Sequence, residues 1–404
     1  MKGEADINNN NTIPRTIWAL GFVSLFMDLS SELIHSLLPI FLVSTLGANV
    51  LAVGLIEGIA EATAHIVKVF SGAISDFFRR RKILLLLGYG LAALSKPLFP
   101  LADSIFTVFM ARFLDRIGKG IRGAPRDALI ADVAPVAIRG ACFGLRQSMD
   151  TVGAFLGPLA AMLLLFLLNG NIIPVLWAAV IPSAIAVLLI VVGVDEPGAE
   201  DRHVRHFHSP LQWSVLSRFS GTYWWVVFIG ALFTLARFSE AFLVLRAQQM
   251  GLSITWIPAV MVVMSVAYAL SAYPAGILSD RMDKKVLLAM GLVFLIFADL
   301  LLAQAVSIVM LMLGVAAWGL HMGFSQGILA TMVAETTPVE LKGTAFGLFN
   351  FISGLLLLFA SLLAGWLWDS YGFQYTFYCG GLFAFLALSI LAIKQQTTLH
   401  RSMP

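Results

Sequence analysis

The run Arg112-Phe-Leu-Asp-Arg-Ile-Gly-Lys-Gly-Ile-Arg-Gly-Ala-Pro-Arg-Asp127 holds seven charged residues directly after an apolar segment. At about 100° per residue, Arg112, Asp115, Arg116, Lys119, Arg122, Arg126 and Asp127 fall within an arc of roughly 140° on a helix. Phe113, Leu114, Ile117, Ile121 and Ala124 take the other side. A single charge facing lipid at a bilayer centre costs about 2.5–3.5 kcal/mol even on the lenient insertion scale. A stripe of them must face protein, a water-filled cavity or the cytoplasm. Guanidinium and ammonium groups in such a row pair with carboxylates, bind anions or take part in proton movement. Pro125 is expected to end or bend this helix just before Arg126.

Two other stretches offer the acids. Asp28, Ser31, Glu32 and His35 put their ionisable groups on one helix face by spacings of four and three. Glu57, Glu61, His65 and Lys68 share an arc of about 80°. At 1.5 Å per residue, Asp28 lies roughly 18 Å from the start of its helix near Thr16, and Arg112 roughly 12 Å from Ser104 at the opposite surface. In a core of about 30 Å these are one level, with Glu61 near it. Asp28 and Arg112 are therefore expected to pair. Such charges either tie helices together or take part in the mechanism, and both readings stand for the Glu57/His65/Lys68 group. Lys96, beside Pro97, reads as a snorkelling or interhelical residue.

The elements that must hold these side chains are membrane helices. The 404 residues are 59% hydrophobic and 12% charged, where soluble domains have about 45–50% and 25%. Apolar runs of bilayer-spanning length recur at 16–46, 51–75, 83–102, 105–125, 141–167, 173–194, 222–246, 254–278, 286–306, 308–332, 344–367 and 372–394. The fold class expected is all-α and polytopic, with twelve transmembrane helices. Residues 1–15 form a polar N-terminus expected to be disordered, 16–194 a first six-helix bundle, 195–221 a central loop, 222–394 a second bundle and 395–404 a tail. His203, His206 and His208 read as part of a solvated basic loop rather than a metal cluster, and Trp213, Leu216 and Phe219 as a short amphipathic segment. Cys142 and Cys379 read as small apolar fillers.

Lysines and arginines set the orientation. Arg79 to Lys82, Arg139, the central loop, Arg281, Lys284, Lys285, Lys342, Lys394 and Arg401 fall on one side, and Arg246 is the main exception on the other. Both termini are expected to be cytoplasmic. Reporter fusions after Thr45, Asn169 and Asp369 are then expected to read external, and those within Ala199–Ser209 internal. An external central loop would overturn the orientation.

The halves repeat. Gly72-Ala-Ile-Ser-Asp76 recurs as Gly276-Ile-Leu-Ser-Asp280, an offset of 204, and Pro135-Val-Ala-Ile-Arg139-Gly-Ala-Cys-Phe-Gly144 as Pro338-Val-Glu-Leu-Lys342-Gly-Thr-Ala-Phe-Gly347, an offset of 203. Two matches in register indicate a duplicated six-helix unit.

On these residues the chain resembles the major facilitator superfamily over essentially all twelve helices. Gly72 to Lys82 is similar to that family's loop between helices two and three, and Gly276 to Lys285 to its second-half copy. The resemblance implies that Gly72, Asp76, Arg80, Gly276 and Asp280, with Arg139 and Lys342, help to hold one conformation closed. Ala111-Arg112-Phe-Leu-Asp115-Arg116-Ile-Gly118 resembles the fourth-helix motif, whose arginine is linked with proton transfer. The family usually has a small residue where Arg116 stands and an uncharged one at Lys119. Gly153-Ala-Phe-Leu-Gly157-Pro158 resembles the fifth-helix antiporter motif, with Ala160 and Ala161 in place of its last glycines. Asp28 to Glu32 and Asp115 to Asp127 resemble a poorly characterised prokaryotic branch, so no substrate comes with the likeness.

The second half is poorer in charge. It offers Arg237 and Glu240 on helix seven, Tyr268 on helix eight, Trp318, His321 and Gln326 on helix ten, and Asn350 on helix eleven, the mixture expected of an organic-molecule cavity. With His35, Arg116 and Lys119 these are the candidate substrate residues, and Asp28, Glu32, Glu61, Arg112 and Asp115 the candidate proton-coupling ones. No phosphate-binding loop, nucleophile motif or dinucleotide fingerprint is present. The expectation is a proton-coupled secondary transporter in the inner membrane, acting as a monomer on a small organic solute of anionic or mixed charge. Export by antiport is favoured, and symport of an organic anion or metal–chelator complex is the alternative. No cofactor, catalytic residue, structural metal or nucleic-acid partner is expected.

Overall fold

The computed structural model describes residues 12–78, 80–196, 213–279, 281–338 and 341–402. Most of the central loop with its histidines, the Asp280 position and most of the N-terminus lie outside the described residues. Twelve helical spans follow: α1 (Arg15–Thr45), α2 (Val50–Phe78), α3 (Arg81–Ser95), α4 (Ile105–Val133), α5 (Arg139–Leu167), α6 (Ile172–Gly193), α7 (Gly221–Gln249), α8 (Ala259–Ser279), α9 (Lys284–Gln304), α10 (Ile308–Glu335), α11 (Lys342–Tyr371) and α12 (Phe373–Ser402). Ten are long and apolar enough to cross a bilayer. The two others depart for visible reasons. The regular part of α3 has only 15 residues before a 3₁₀ turn at Lys96–Leu98, and α4 carries the charged stripe.

Two departures from the sequence expectation matter for the site. α4 does not stop at Pro125 but runs to Val133. Its proline is buried inside the helix, a placement that membrane helices tolerate. α1 and α7, expected to be continuous, are both interrupted. α1 breaks after His35, where Pro39 cannot continue the ladder, and resumes as a short turn and a π-helical segment, Phe41–Thr45. α7 ends its first segment at Ala236, passes through extended Arg237, and restarts at Ala241. Adding the repeat offset of 203 to Ser36 and Leu37 gives Ser239 and Glu240, so the breaks are equivalent.

The halves meet along α2 against α11, with α5 against α8 beside them. Glycines bring α2 and α11 together: a Cβ on Gly58 would lie 3.1 Å from Leu358 Cα, and one on Gly365 2.8 Å from Leu51 Cα. Asp369 of α11 caps α2, accepting from Leu51 N at 2.8 Å and Val50 N at 3.3 Å. Gln248 of α7 donates to Ser44 of α1 at 2.5 Å. The Gly365, Asp369 and Gln248 contacts lie at the membrane face remote from the termini, here called the far end, and Gly58 continues the α2–α11 seam eight residues below it. Arg246, which broke the charge asymmetry, is buried there. It donates to Leu302 O (3.2 Å) and Ala305 O (2.8 Å) at the end of α9, with its guanidinium 3.7 Å from the centre of the Phe373 ring.

Towards the termini, a Cβ added to Gly140, Gly144, Gly276 or Gly343 would meet nothing within 4 Å. Gln147, Ser148 and Tyr273 are exposed on the facing helices. Phe219 in the linker packs on Tyr223 with ring centroids 4.4 Å apart, which anchors the segment before α7 to the second half.

Candidate functional site

α4 carries its charged face into the first half, where α2 and α3 flank it. Arg112, 1% exposed, donates from Nη2 to Glu57 Oε2 at 2.7 Å, and Glu61 Oε1 lies 3.9 Å from the same nitrogen. One turn on, Arg116 Nη1 reaches Glu61 Oε1 at 3.3 Å. Asp115 turns to α3, where the buried Lys96 donates to Asp115 Oδ1 at 2.8 Å and to Ser31 Oγ of α1 at 2.9 Å. His35 sits between two acids, with Nδ1 3.3 Å from Glu32 and Nε2 3.5 Å from Glu57. These groups form a mostly buried network in which each charge has an opposite partner.

The expected Asp28–Arg112 pair does not form. Arg122, ten residues further along α4, is the cation beside Asp28, with Nη2 3.9 Å from Oδ1 and its guanidinium 4.6 Å from the Tyr89 ring centre. The cause is the measure of depth. α1 and α4 span 31 and 29 residues and extend beyond a 20-residue core, so counting inwards from two opposite surfaces misplaces the level. Counted from the far end, Asp28 is 17 residues from Thr45 and Arg122 is 17 from Ile105. By the same count, Arg112 and Glu57 are each seven residues below the starts of α4 and α2.

Below this network a cavity of about 240 Å³ is lined by Asp28, Glu61, His65, Lys68, Lys119, Arg122, Arg126 and Asp150 of the first half and Asn350 of α11. Asp28 of α1 and Asp150 of α5 both line it. Asp150 is also 3.8 Å from Arg126 and 3.3 Å from Arg146. Lys68 and Lys119 are exposed to this space. Neither forms an ion pair among the described residues, and the charge of Lys119 acts on Asp28, Glu32, Glu61 and Asp150 alike. From the second half, Tyr268 lies within electrostatic reach of Asp150 and Arg237.

The other candidates divide. Tyr268 and Gln326 line a separate cavity of about 200 Å³ between α8 and α10. Trp318 and His321 line neither of these cavities; both are fully buried, packed with Phe238 and Phe233. Arg237 and Glu240 lie at the two edges of the α7 break and do not share a helix face as their i, i+3 spacing implied. Gly72 is an α2–α4 contact, with Ala124 Cβ 3.5 Å from an added Cβ. Gly153 and Gly157 hold α5 against α1; a Cβ on Gly157 would meet Leu29 O at 2.8 Å. Buried Pro158 follows. Arg80, Arg139, Lys342 and Gly276 are exposed near the termini side, and the basic run continues in Arg81, which pairs with Asp132. Asp76 lies in α2.

Sequence reasoning passed over Asp150, Arg126 and Arg122 as site residues and left Glu57 in a group open to either a helix-tying or a mechanistic role. Parallel helices that both start at the far end share a register, and 55 separates Glu57 from Arg112 and Glu61 from Arg116. That signal was in the sequence.

The major facilitator superfamily model matches residues 20–263 and 241–401. The chain belongs to the major facilitator superfamily. An MFS-type transporter of Methanocaldococcus jannaschii is 31% identical over 372 residues, covering 89% of this chain and 90% of that protein. The multidrug resistance protein MdtH of Yersinia pestis is 29% identical over 144 residues, 36% of each chain. Among solved structures, the nucleoside transporter NupG aligns with a TM-score of 0.77 at 15% identity, over 94% of this chain and 99% of that one. The human organic anion transporter MFSD10 aligns with 0.66 at 19%, over 94% and 100%. As a member of this superfamily the chain is a multi-pass membrane transporter of a small molecule and not an enzyme. The fourth-helix motif of the family, here Arg112 to Gly118, is the part whose arginine holds Glu57.

Proposed function

We propose that the chain is a proton-coupled transporter that exports a small organic solute of anionic or mixed charge by alternating access. The observation that carries the substrate class is the pair of cavity lysines. Five of the cavity's charges, Asp28, Glu61, Asp150, Arg122 and Arg126, have partners within 4 Å, while Lys68 and Lys119 have none among the described residues. Two unpaired ammonium groups beside Asn350 and His65 suit a carboxylate or phosphate and a second polar group on one solute.

Proton coupling rests on Asp28 and Asp150. The two carboxyls share one small cavity, and the coupling proton is assigned to them. A cation or protonated solute group arriving at the cavity would compete for that place. Antiport is supported by the α5 motif, since Gly157 and Pro158 lie where α5 packs on α1, the helix that carries Asp28. The resemblance of part of the chain to a protein named for multidrug resistance fits the same direction. The protein would act as a monomer in the inner membrane with both termini cytoplasmic, the exposed basic residues Arg80, Arg139 and Lys342 lying on that side.

The test uses purified protein in proteoliposomes, with an imposed pH gradient of either sign and a panel of organic anions and zwitterions. Lys119→Ala and Lys68→Ala are each expected to weaken apparent affinity by about 10- to 150-fold, the loss of one hydrogen bond to a charged group of about 1.5–3 kcal/mol. Their thermal stability is expected to match wild type, because neither lysine side chain forms an ion pair or hydrogen bond among the described residues. Unchanged affinity in both variants would remove the anion reading. Uptake of substrate together with protons would replace export by the symport alternative.

A further inference from the structure

The second half contains a buried carboxyl that the proposed transport site does not use. Asp299 on α9 is 1% exposed, and neither of its oxygens has a hydrogen-bond partner among the described residues. It looks across at Gly380 of α12, where an added Cβ would lie 2.8 Å from Asp299 Oδ2 and 3.1 Å from Ala236 O. Ala236 is the last residue of the first α7 segment, and no backbone N–H takes up its carbonyl among the described residues. A carboxyl is thus set beside the negative end of a half-helix, where carbonyls lack partners.

The repeat shows what is missing. The offset of 203 places Asp299 where Lys96 stands, and Trp318 where Asp115 stands. In the first half Lys96 is closed by Asp115 and Ser31. In the second half the equivalent place holds a carboxyl with no counter-ion among the described residues. The titratable groups in this interior are Cys379 on α12, His321 on α10, Tyr268 on α8, and Arg237 and Glu240 at the α7 break. None forms an ion pair with Asp299 among the described residues. An unpaired carboxylate buried beside a half-helix C-terminus is opposed both by desolvation and by the helix dipole. A hard metal cation needs about six oxygen ligands, more than this spot supplies, whereas a proton needs one acceptor.

We propose that Asp299 is a second proton-binding site, holding a proton beside the Ala236 carbonyl while the far end is closed. The outer segment of α7, Ala241–Gln249, is its cover. Arg246 joins that segment to the end of α9 and the start of α12. Movement of the segment when the far end opens exposes the carboxyl to water on that side, and the proton leaves there or is taken up there.

The proton itself is read by infrared spectroscopy of the full-length protein in nanodiscs, which needs no transport activity. The difference between wild type and Asp299→Asn is expected to contain one protonated-carboxyl band. A hydrophobic carbodiimide is expected to modify Asp299 in wild type, located by mass spectrometry, which keeps the test independent of how the variant folds. Absence of both the band and the adduct would overturn the proposal. Exchange is read in proteoliposomes: Asp299→Asn is expected to flatten the response of transport to far-side pH. A band present but a pH response identical to wild type would make Asp299 a static buried acid, which also overturns it. Failure of the lysine variants above would leave the spectroscopic result standing.

Discussion

Replacing Arg112 by alanine is expected to lower the stability of the folded protein by about 3–5 kcal/mol, the cost of leaving a buried charge without its partner. The stranded group is Glu57, 1% exposed, whose Oε2 accepts from Arg112 at 2.7 Å. His35, 3.5 Å away, is a weaker substitute counter-charge because it is already drawn to Glu32. Arg112→Lys is expected to recover only part of the loss, since a shorter, differently placed ammonium group does not reproduce the Nη2 contact with Glu57 and Glu61. The decisive comparison is a pair of double-mutant cycles. Arg112→Ala with Glu57→Gln is expected to be more stable than Arg112→Ala alone, because the lone charge is gone, whereas Arg112→Ala with Asp28→Asn is expected to be additive. Thermal or denaturant unfolding of the purified proteins measures both. Additivity with Glu57 and coupling with Asp28 would mean that the network is arranged otherwise than described here.

This comparison also marks what was readable from the residues. The twelve helices, the repeat and the charged face of α4 follow from apolar length and from the cost of charge in lipid, both local properties. Arg112, Asp115 and Arg116 turned inwards as that cost requires. Partner choice is not local. Asp28 and Arg112 shared a depth only while the helices were taken as one bilayer thick, and the real spans exceed it. α2 and α4 run in the same direction from the far end, so their side chains pair at constant separation, and that register identifies Glu57 and Glu61. The α7 break was unreadable for another reason. Arg237-Phe-Ser-Glu240 holds no proline or glycine, and its extended backbone is set by tertiary contacts such as Ser239 N donating to Ser361 Oγ at 3.3 Å. Asp299 was passed over as one acid in an apolar helix. Its lack of a partner emerges only when α12 and the end of α7 close around it.

A leucine at Gly58 is expected to hold the far end open and to stop transport. The three atoms nearest an added Cβ there all belong to Leu358 of α11, at 3.0 Å to Cδ1, 3.1 Å to Cα and 3.1 Å to the carbonyl oxygen. The tightest clash is therefore with the second half, and the strain falls on the seam between the units. The side-chain atom can move aside, but the backbone of α11 cannot. Overpacking of this kind costs about 1–3 kcal/mol. At about 1.4 kcal/mol per factor of ten, that lowers the population of the closed form roughly 5- to 150-fold. A transporter that cannot close one end cannot complete its cycle, so turnover is expected to fall at least as far. Position 54 gives an independent version, because Gly54 meets the Ser361 carbonyl and lies 3.3 Å from Phe242 in the outer segment of α7. Accessibility supplies the readout that separates an open seam from a misfolded protein. In a background lacking Cys142 and Cys379, a cysteine replacing Asn350 in the cavity is expected to react with an impermeant thiol reagent from the far side only when Gly58→Leu is also present. Thermal stability of the single variant is expected to stay near that of the parent, since the open form retains both bundles. Normal transport by Gly58→Leu and Gly54→Leu, with the cavity cysteine still protected from the far side, would show that α2 and α11 do not form the gate.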